Sequence, residues 1–298
     1  MSERVCRGLP AGWLNGWLAA VGATVLDSRL RLHWTTEDSP VAVLSAESLD
    51  PVDALVESWP SRERLNDLPI AADWRNAGKV ERRVAVDDFR DRAVQARGTD
   101  ASWTLSSTLT DLSVDQSGNV AHAPFDAAGP GTIKWLHYRV LRVHEKVGPP
   151  SRSRLGASLV GHASRVKDAG LGFDQSRLGS LADKTDPWVE PFVELLAFFG
   201  LALFPMRASG ADQRNRGNPE ERQRGWRRPP GRDQPREFLW PAWCQAIDTW
   251  GIDALLDIWE PRRRGTWRSV GVHAGWRSVR YEPQAQADAT RAIGAERL

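Results

Sequence analysis

Apolar residues recur at helical spacing near the start of the chain. They follow Pro10, a residue suited to the first turn of a helix. The pattern predicts an amphipathic helix whose apolar face carries Trp13, Leu14, Trp17, Leu18 and Val21.

The pattern then changes to alternation. The segment RLRLHWT at 29–35 places Leu and Trp at every second position, which predicts a half-buried strand. Its expected partner is VAVLSA at 41–46, across the turn-forming segment 36–40. Asp50 and Pro51 next supply a cap and a first turn for a short helix. The opening module is therefore predicted as helix, hairpin, helix.

The middle of the chain has three further patterns. VDDFRDRAVQAR at 86–97 and TIKWLHYRVLRVHEKV at 132–147 predict helices, whereas SWTLSSTLTDLSV at 102–114 predicts a strand. The segment GPPSRSRLG at 148–156 is typical of a loop or linker.

We place a domain boundary in this loop. It separates an N-terminal α+β region, 1–147, from a mainly helical region, 151–298, although one continuous domain remains compatible with the length.

The most apolar segment is DKTDPWVEPFVELLAFFGLALFP at 183–205. Thr185 or Asp186 is suited to cap a helix, with Pro187 or Pro191 in the first turn. Because the apolar residues after this start are nearly continuous, we expect a helix buried on all sides and a helical core at 187–204.

The last part of the chain predicts short helices and a hairpin. PAWCQAIDTW at 241–250 and IDALLDIWE at 252–260 are expected to be helices, and a C-terminal hairpin follows. The expected fold is α+β, with short antiparallel β-hairpins at both ends and a helical core in the second half.

Composition excludes several classes of protein. Hydrophobic residues make up 41% and charged residues 26% of the 298 residues, as in a globular protein, although Trp is enriched with 15 copies. The longest apolar run, at 195–206, is too short for the roughly 20 residues of a membrane span. Cys6 and Cys244 cannot form a disulfide framework, and they fit a reducing cytoplasm.

Charge is distributed unevenly along the chain. The net charge is +2, yet residues 1–150 hold 17 Lys+Arg and 20 Asp+Glu, whereas 151–298 hold 23 and 18. Residues 207–236 carry nine arginines and four acids among many Gly and Pro residues, which predicts a long loop. Such a basic bias favours anionic partners, chiefly nucleic-acid phosphates.

Two arginine-rich segments are the candidate nucleic-acid interface. Arginine offers a fixed donor fork to phosphate, and Trp offers a flat face on which bases stack. The tetrad Trp-Arg-Ser-Val occurs twice, at 267–270 and 276–279. The candidate binding residues are Arg222, Arg224, Trp226, Arg227 and Arg228 in the loop, and Arg262, Arg263, Arg264, Trp267, Arg268, Trp276 and Arg277 near the hairpin.

The tryptophans and arginines near the hairpin also have a purely structural explanation, which the sequence does not exclude. Trp267 and Trp276 are also suited to form a cross-strand aromatic pair in a hairpin whose arginines face water.

Catalytic patterns are largely missing from the sequence. The six histidines are scattered, and neither a Walker-type loop nor a G-x-S-x-G elbow occurs. Asp87 with Asp88, and Asp183 with Asp186, lie at predicted helix starts, where acids favour the helix dipole. We therefore expect no enzyme activity, no metal and no cofactor, with a metal-dependent nuclease built on these acid pairs as an alternative.

Three stretches together resemble proteins of type I-G (formerly I-U) CRISPR loci: GLPAGWLNGWLAAVGATVL from Gly8, the segment 171–205, and FLWPAWCQAIDTWGIDALLDIWEP from Phe238 with GWRSVRY at 275–281. The opening, with Gly8, Pro10, Leu18, Ala20 and Gly22, resembles a helix at the start of large-subunit-like proteins of Cascade. The segment LLAFFGLALFP is similar to a helix of the large subunit of that subtype. The resemblance covers about a third of the chain, and its motifs are packing motifs.

The resemblance implies a cytoplasmic antiviral role in or beside an RNA-guided complex. The implied partners are the other Cascade subunits, CRISPR RNA and/or target double-stranded DNA, and the helicase-nuclease. At 298 residues the chain is shorter than a usual large subunit, so it is either a reduced large subunit or a separate companion of the helicase-nuclease. A protein-interaction adaptor without direct nucleic-acid contact is the alternative, because Trp and Arg also anchor protein interfaces.

Overall fold

The computed structural model confirms an α+β fold. It describes residues 1–66, 85–96, 118, 136–168, 170–171, 188–204, 224–227, 237–281 and 292–298. The helices in these ranges are α1 (Leu14–Leu26), α2 (Pro51–Glu57), α3 (Arg62–Asn66), α4 (Val86–Ala96), α5 (Leu136–Val147), α6 (Arg152–Val160), α7 (Pro191–Gly200) and α8 (Thr249–Ile258). The strands are β1 (Ser2–Pro10), β2 (Arg31–Trp34), β3 (Val41–Ala46), β4 (Val166–Lys167), β5 (Trp188–Val189), β6 (Trp226–Arg227), β7 (Glu237–Trp243), β8 (Val272–Tyr281) and β9 (Ala292–Arg297).

The N-terminal sheet has the order β1-β3-β2 and is antiparallel. The predicted β2–β3 hairpin is confirmed, with Leu32 opposite Leu44. The prediction that Pro10 opens the first helix is wrong. Pro10 is the last residue of β1, where it pairs with Val41, and α1 begins only at Leu14. Strand β1 was not predicted, because apolar and polar residues do not alternate in its sequence, SERVCRGLP, although its burial alternates over residues 2–7.

Helices α1 and α7 form the centre of the core. Each of the ten residues of α7 is buried, which confirms the predicted all-round buried helix. Glu190 caps α7 and Pro191 occupies its first turn, while Thr185 and Asp186 lie outside the described residues. α1 is buried at every residue except its last, Leu26.

A second antiparallel sheet has the order β6-β7-β8-β9. The predicted helix at 241–250 is wrong, because its first residues belong to β7. Residues 238–243 are buried without interruption, so this strand lacks the alternation that would identify it in the sequence. The predicted helix at 252–260 is confirmed as α8, which Asp248 caps by accepting a hydrogen bond from the Gly251 amide at 2.8 Å.

Buried indoles connect the two predicted regions. The Nε1 atoms of Trp17, Trp240 and Trp243 donate hydrogen bonds of 2.7, 2.8 and 2.9 Å to the carbonyl oxygens of Pro241, Ala11 and Leu32. Each indole thus buries a large ring and satisfies its single donor. One hydrophobic core contains residues from both 1–147 and 151–298.

Several sequence-based predictions fall outside the described residues. They are the strand at 102–114 and most of the loop at 207–236. The helices predicted at 86–97 and 132–147 are confirmed over their described residues as α4 and α5. The predicted loop at 148–156 is wrong from Arg152 onward, where α6 begins.

Candidate nucleic-acid interface

The candidates from the predicted loop fall into different environments. Arg222 and Arg228 lie outside the described residues, and Trp226 lies on β6, antiparallel to β7. Arg227, also on β6, is exposed. The structure therefore describes only part of this set.

Arg224 is mostly buried and contacts other elements of the fold. Its side chain is only 10% exposed and forms ion pairs with Asp253 at 2.6 Å and Asp257 at 3.1 Å on α8. It also donates a hydrogen bond to the Leu203 carbonyl oxygen at 3.0 Å. These contacts occupy both terminal nitrogens of the guanidinium, so Arg224 fits a structural role rather than phosphate binding.

Arg277 is likewise held by carboxylates. On β8 it lies between the neighbouring strands, with ion pairs to Glu237 of β7 at 3.0 Å and to Glu296 of β9 at 2.7 Å. The hydrogen bond to Glu296 is the main reason that the pKa of Arg277 is raised above its usual value. Arg277 thus joins three strands of the sheet, and its charge is compensated within the fold.

The two repeated tryptophans do not form a stacking platform. Trp267 is 7% and Trp276 is 5% exposed. They are also not a cross-strand pair, because Trp276 on β8 lies opposite Trp240, whereas Trp267 lies in the turns before β8. Trp267 packs against Trp259 with ring centroids 5.7 Å apart. Neither indole presents an open face to a base, so the expectation of base stacking on this pair is not met.

Four further candidate arginines are exposed on one segment of the chain, and together they form what we call the basic turn. They lie on the surface between α8 and β8, in and around two 3-10 turns at Arg264–Thr266 and Arg268–Val270. Within the part of the chain that the structure describes, three of them form no ion pair. The basic turn consists of Arg262, Arg263, Arg264 and Arg268, of which Arg262 has a further contact.

The buried Trp267 anchors this segment. Its Nε1 atom donates a hydrogen bond to the Glu260 carbonyl oxygen at 3.1 Å, and its own carbonyl oxygen accepts from the Val272 amide at 2.9 Å. The Thr266 amide and hydroxyl both donate to the Arg263 carbonyl oxygen, at 2.9 and 2.8 Å. The turn is therefore well connected, and its arginines project from a fixed backbone.

The sequence did not predict the residues that hold the basic turn in place. Trp259 supplies the ring on which Trp267 packs, and Glu260 supplies the carbonyl that its indole binds. The available signal was the pair of tryptophans eight residues apart, a spacing that fits one face of a strand or of a helix and therefore does not identify a turn.

The two acid pairs considered as an alternative metal site are only partly described. Asp87 and Asp88 lie in the first turn of α4, as expected, and Asp183 and Asp186 lie outside the described residues. Among the described residues, no group of three His, Cys, Asp or Glu side chains could hold a metal ion. Among the same residues, no helix is both long and apolar enough to cross a membrane.

Comparison with known proteins gives no match. No family model, no curated protein and no solved structure is similar to this chain at a significant level.

Proposed function

We propose that this protein is a non-catalytic nucleic-acid-binding subunit or companion of a type I-G CRISPR effector complex, acting in the cytoplasm in antiviral defence. It helps the complex to bind target DNA and to recruit the helicase-nuclease. The observation that carries the proposal is the basic turn, four exposed arginines on one anchored segment.

The basic turn suits the sugar-phosphate backbone better than the bases. Exposed guanidinium groups neutralise phosphates without reading sequence. The neighbouring indoles of Trp267 and Trp276 are buried, so stacking on bases is not available at this surface. Such a surface fits a subunit that holds duplex or heteroduplex DNA while the guide RNA reads the sequence.

Two glycines of the opening motif that resembles the large-subunit-like proteins have a packing role, which supports the proposed family assignment. Gly8 and Gly22 both lie at close approaches between elements, where an added Cβ atom would meet backbone atoms. These contacts explain why a related fold would need the same residue types.

Binding of labelled duplex DNA tests the nucleic-acid part of the proposal. The four-alanine variant of the basic turn is compared with a control of equal charge, in which the exposed Arg31, Arg90, Arg152 and Arg154 become alanine. Fluorescence anisotropy should show at least tenfold weaker binding for the first variant and little change for the control. Equal losses in both variants would indicate a general effect of net charge and would refute a specific site.

Co-purification tests the proposal that this protein belongs to a type I-G complex. The tagged chain is expressed together with the other subunits of a type I-G complex and a guide RNA. It should elute with the complex on size exclusion. Elution as a separate species, under conditions in which the remaining complex assembles, would contradict the assignment.

An adaptor role is the second candidate, and two exposed side chains on α8 favour it. Trp250 is 72% and Ile258 is 63% exposed, and they lie about two turns apart. Exposed Trp residues are common anchors of protein interfaces. Replacement of both by alanine should abolish co-purification and leave binding of free DNA unchanged if the adaptor role is correct.

A further inference from the structure

A cavity lies where the first strand and helix of the chain meet residues from 158–193. It has a volume of about 250 Å³ and is enclosed by β1, the start of α1, the end of α6 with the following loop, and the start of α7. Its lining includes two cations, two buried polar groups, a hydroxyl and an indole. These residues are Arg7, Trp13, Asn15, Ser158, Arg165 and Glu190.

A close backbone contact forms one wall of the cavity. Gly8 of β1 lies directly on the end of α6, where a Cβ atom would be 2.7 Å from the Gly161 amide nitrogen and in collision with the Ser158 carbonyl oxygen. Gly161 itself has a φ of 84° and ends the helix. Because the two glycines allow this approach, the side chain of Arg7 is held beside the loop that carries Arg165.

The inner part of the cavity is polar and buried. Glu190 is 9% exposed; one of its oxygens accepts from the Val193 amide at 2.6 Å and the other from the Ser158 hydroxyl at 2.8 Å. Burial raises the pKa of Glu190 above its usual value. The Asn15 amide donates to Glu194 at 3.4 Å and accepts from the Gly16 amide at 2.9 Å. The Phe192 amide also donates to Glu190, which leaves one acceptor position of Glu190 and the second hydrogen of the Asn15 amide for a ligand.

The outer part combines an aromatic ring with positive charge. Trp13 is 38% exposed although it lines the cavity. Arg7 is exposed and forms no ion pair within the described ranges, and Arg165 donates to the Trp188 carbonyl oxygen at 3.2 Å. A planar group with hydrogen-bonding edges and a nearby phosphate would complement this arrangement.

We propose that this cavity binds one unstacked nucleotide of a single-stranded nucleic acid. The base lies against the Trp13 indole, its polar edge meets Asn15 and Glu190, and its phosphate meets Arg7 and Arg165. The volume, just below the roughly 300–1,000 Å³ of pockets for drug-sized ligands, is suited to a single base. The inference rests on the proposed nucleic-acid function and adds a second site, distinct from the basic turn.

Nucleoside monophosphates test this site on the full-length protein. AMP, GMP, CMP and UMP are titrated separately, with inorganic phosphate as a further probe, by saturation-transfer NMR and calorimetry. At least one nucleotide should bind with saturation transfer to its base protons. Inorganic phosphate should bind at least tenfold more weakly, since stacking on the indole is worth about tenfold or more in affinity.

Two variants locate the bound nucleotide. Trp13→Ala should weaken nucleotide binding about tenfold, and Arg7→Ala, which removes an exposed side chain and keeps the fold, should weaken it about as much. Trp250→Ala, which removes an exposed indole on α8, is the matched control and should bind normally.

Three results would overturn the inference. They are the absence of binding by any of the four nucleotides at millimolar concentration, equal affinity for inorganic phosphate and for nucleotides, and binding that neither Arg7→Ala nor Trp13→Ala weakens. The basic-turn variant separates this inference from the proposed function, because it should lose duplex binding and keep nucleotide binding. Loss of the nucleotide site alone would leave the proposed function intact.

Discussion

Gly22 of α1 and Gly200 of α7 meet where the two central helices cross. A Cβ atom on Gly22 would lie 2.7 Å from the Gly200 nitrogen and would collide with the Leu196 carbonyl oxygen. A Cβ atom on Gly200 would in turn collide with the Leu18 carbonyl oxygen. The helices therefore pack with their backbones in contact, and no other residue type fits without moving them apart.

Gly22→Ala should destabilise the protein. Separating two buried helices costs about 1–3 kcal/mol, the range for overpacked cores. Gly156→Ala is the matched control, because Gly156 lies inside α6 with nothing near its missing Cβ atom. The control should stabilise the protein by roughly 0.5–1 kcal/mol through helix propensity. Urea unfolding followed by circular dichroism measures both, and equal effects of the two substitutions would contradict the described crossing.

Asp168→Asn should lower stability in a pH-dependent manner. The Asp168 side chain is 4% exposed and pairs with Arg142 at 2.9 Å and Lys146 at 2.8 Å. Burial alone would raise its pKa, but the hydrogen bonds from Lys146 and from the Gly170 amide, with the nearby charges, keep that pKa below 3.8. The ionised form therefore stabilises the fold fully above about pH 4, and this contribution is lost as the pH falls further.

At neutral pH, Asp168→Asn should lower the free energy of unfolding by about 2 kcal/mol. The loss is no larger because Arg142 and Lys146 are both partly exposed. The difference from wild type in the free energy of unfolding should shrink below pH 4. A difference that stays constant from pH 7 to pH 3 would exclude the carboxylate as its source.

Arg224→Ala and Arg268→Ala should separate structural from binding arginines. The Arg224 side chain is 10% exposed and pairs with Asp253 and Asp257, so its removal deletes both ion pairs and should cost about 2 kcal/mol, since both acids are partly exposed. Arg268 is exposed, and its replacement should change stability by less than about 0.5 kcal/mol. Thermal unfolding of both variants tests this difference, and a large loss of stability for Arg268→Ala would show that it is also structural.

The two cysteines should differ in reactivity. Cys6 is fully buried, and burial raises its pKa to about 12, whereas Cys244 is exposed. Thiolate is the reactive form, so the native protein should react with one equivalent of an aromatic disulfide reagent and the unfolded protein with two. Cys244→Ala should leave the native protein unreactive. Rapid modification of that variant would contradict the burial of Cys6.

Local patterns predicted much of the fold. The alternation at 29–35, the Asp50–Pro51 helix start and the helical core at 187–204 were predicted correctly, because each local pattern agrees with its tertiary environment. Strand β7 was missed because packing on both faces removes the alternation that distinguishes a strand from a buried helix. Pro10 was misassigned because the same residue type suits a helix start and the end of a strand.

The candidate interface was harder to predict, since it depends on contacts between distant segments. Nothing near Arg277 in sequence indicates Glu237 or Glu296, and nothing near Arg224 indicates Asp253. The composition identified the arginines, but it could not distinguish Arg224 and Arg277, which form ion pairs within the fold, from the arginines of the basic turn. The cavity at Trp13 brings together four separate segments, and no local motif marks it.

The salt dependence of duplex DNA binding tests the central claim most directly. Equilibrium constants are measured at several salt concentrations for the wild type, the four-alanine variant of the basic turn and its charge-matched control. If the four arginines contact phosphates, the slope of log K against log salt should fall by about three to four units in the first variant and stay near the wild-type value in the control. An unchanged slope and affinity in the basic-turn variant would contradict the claim that this surface binds nucleic acid.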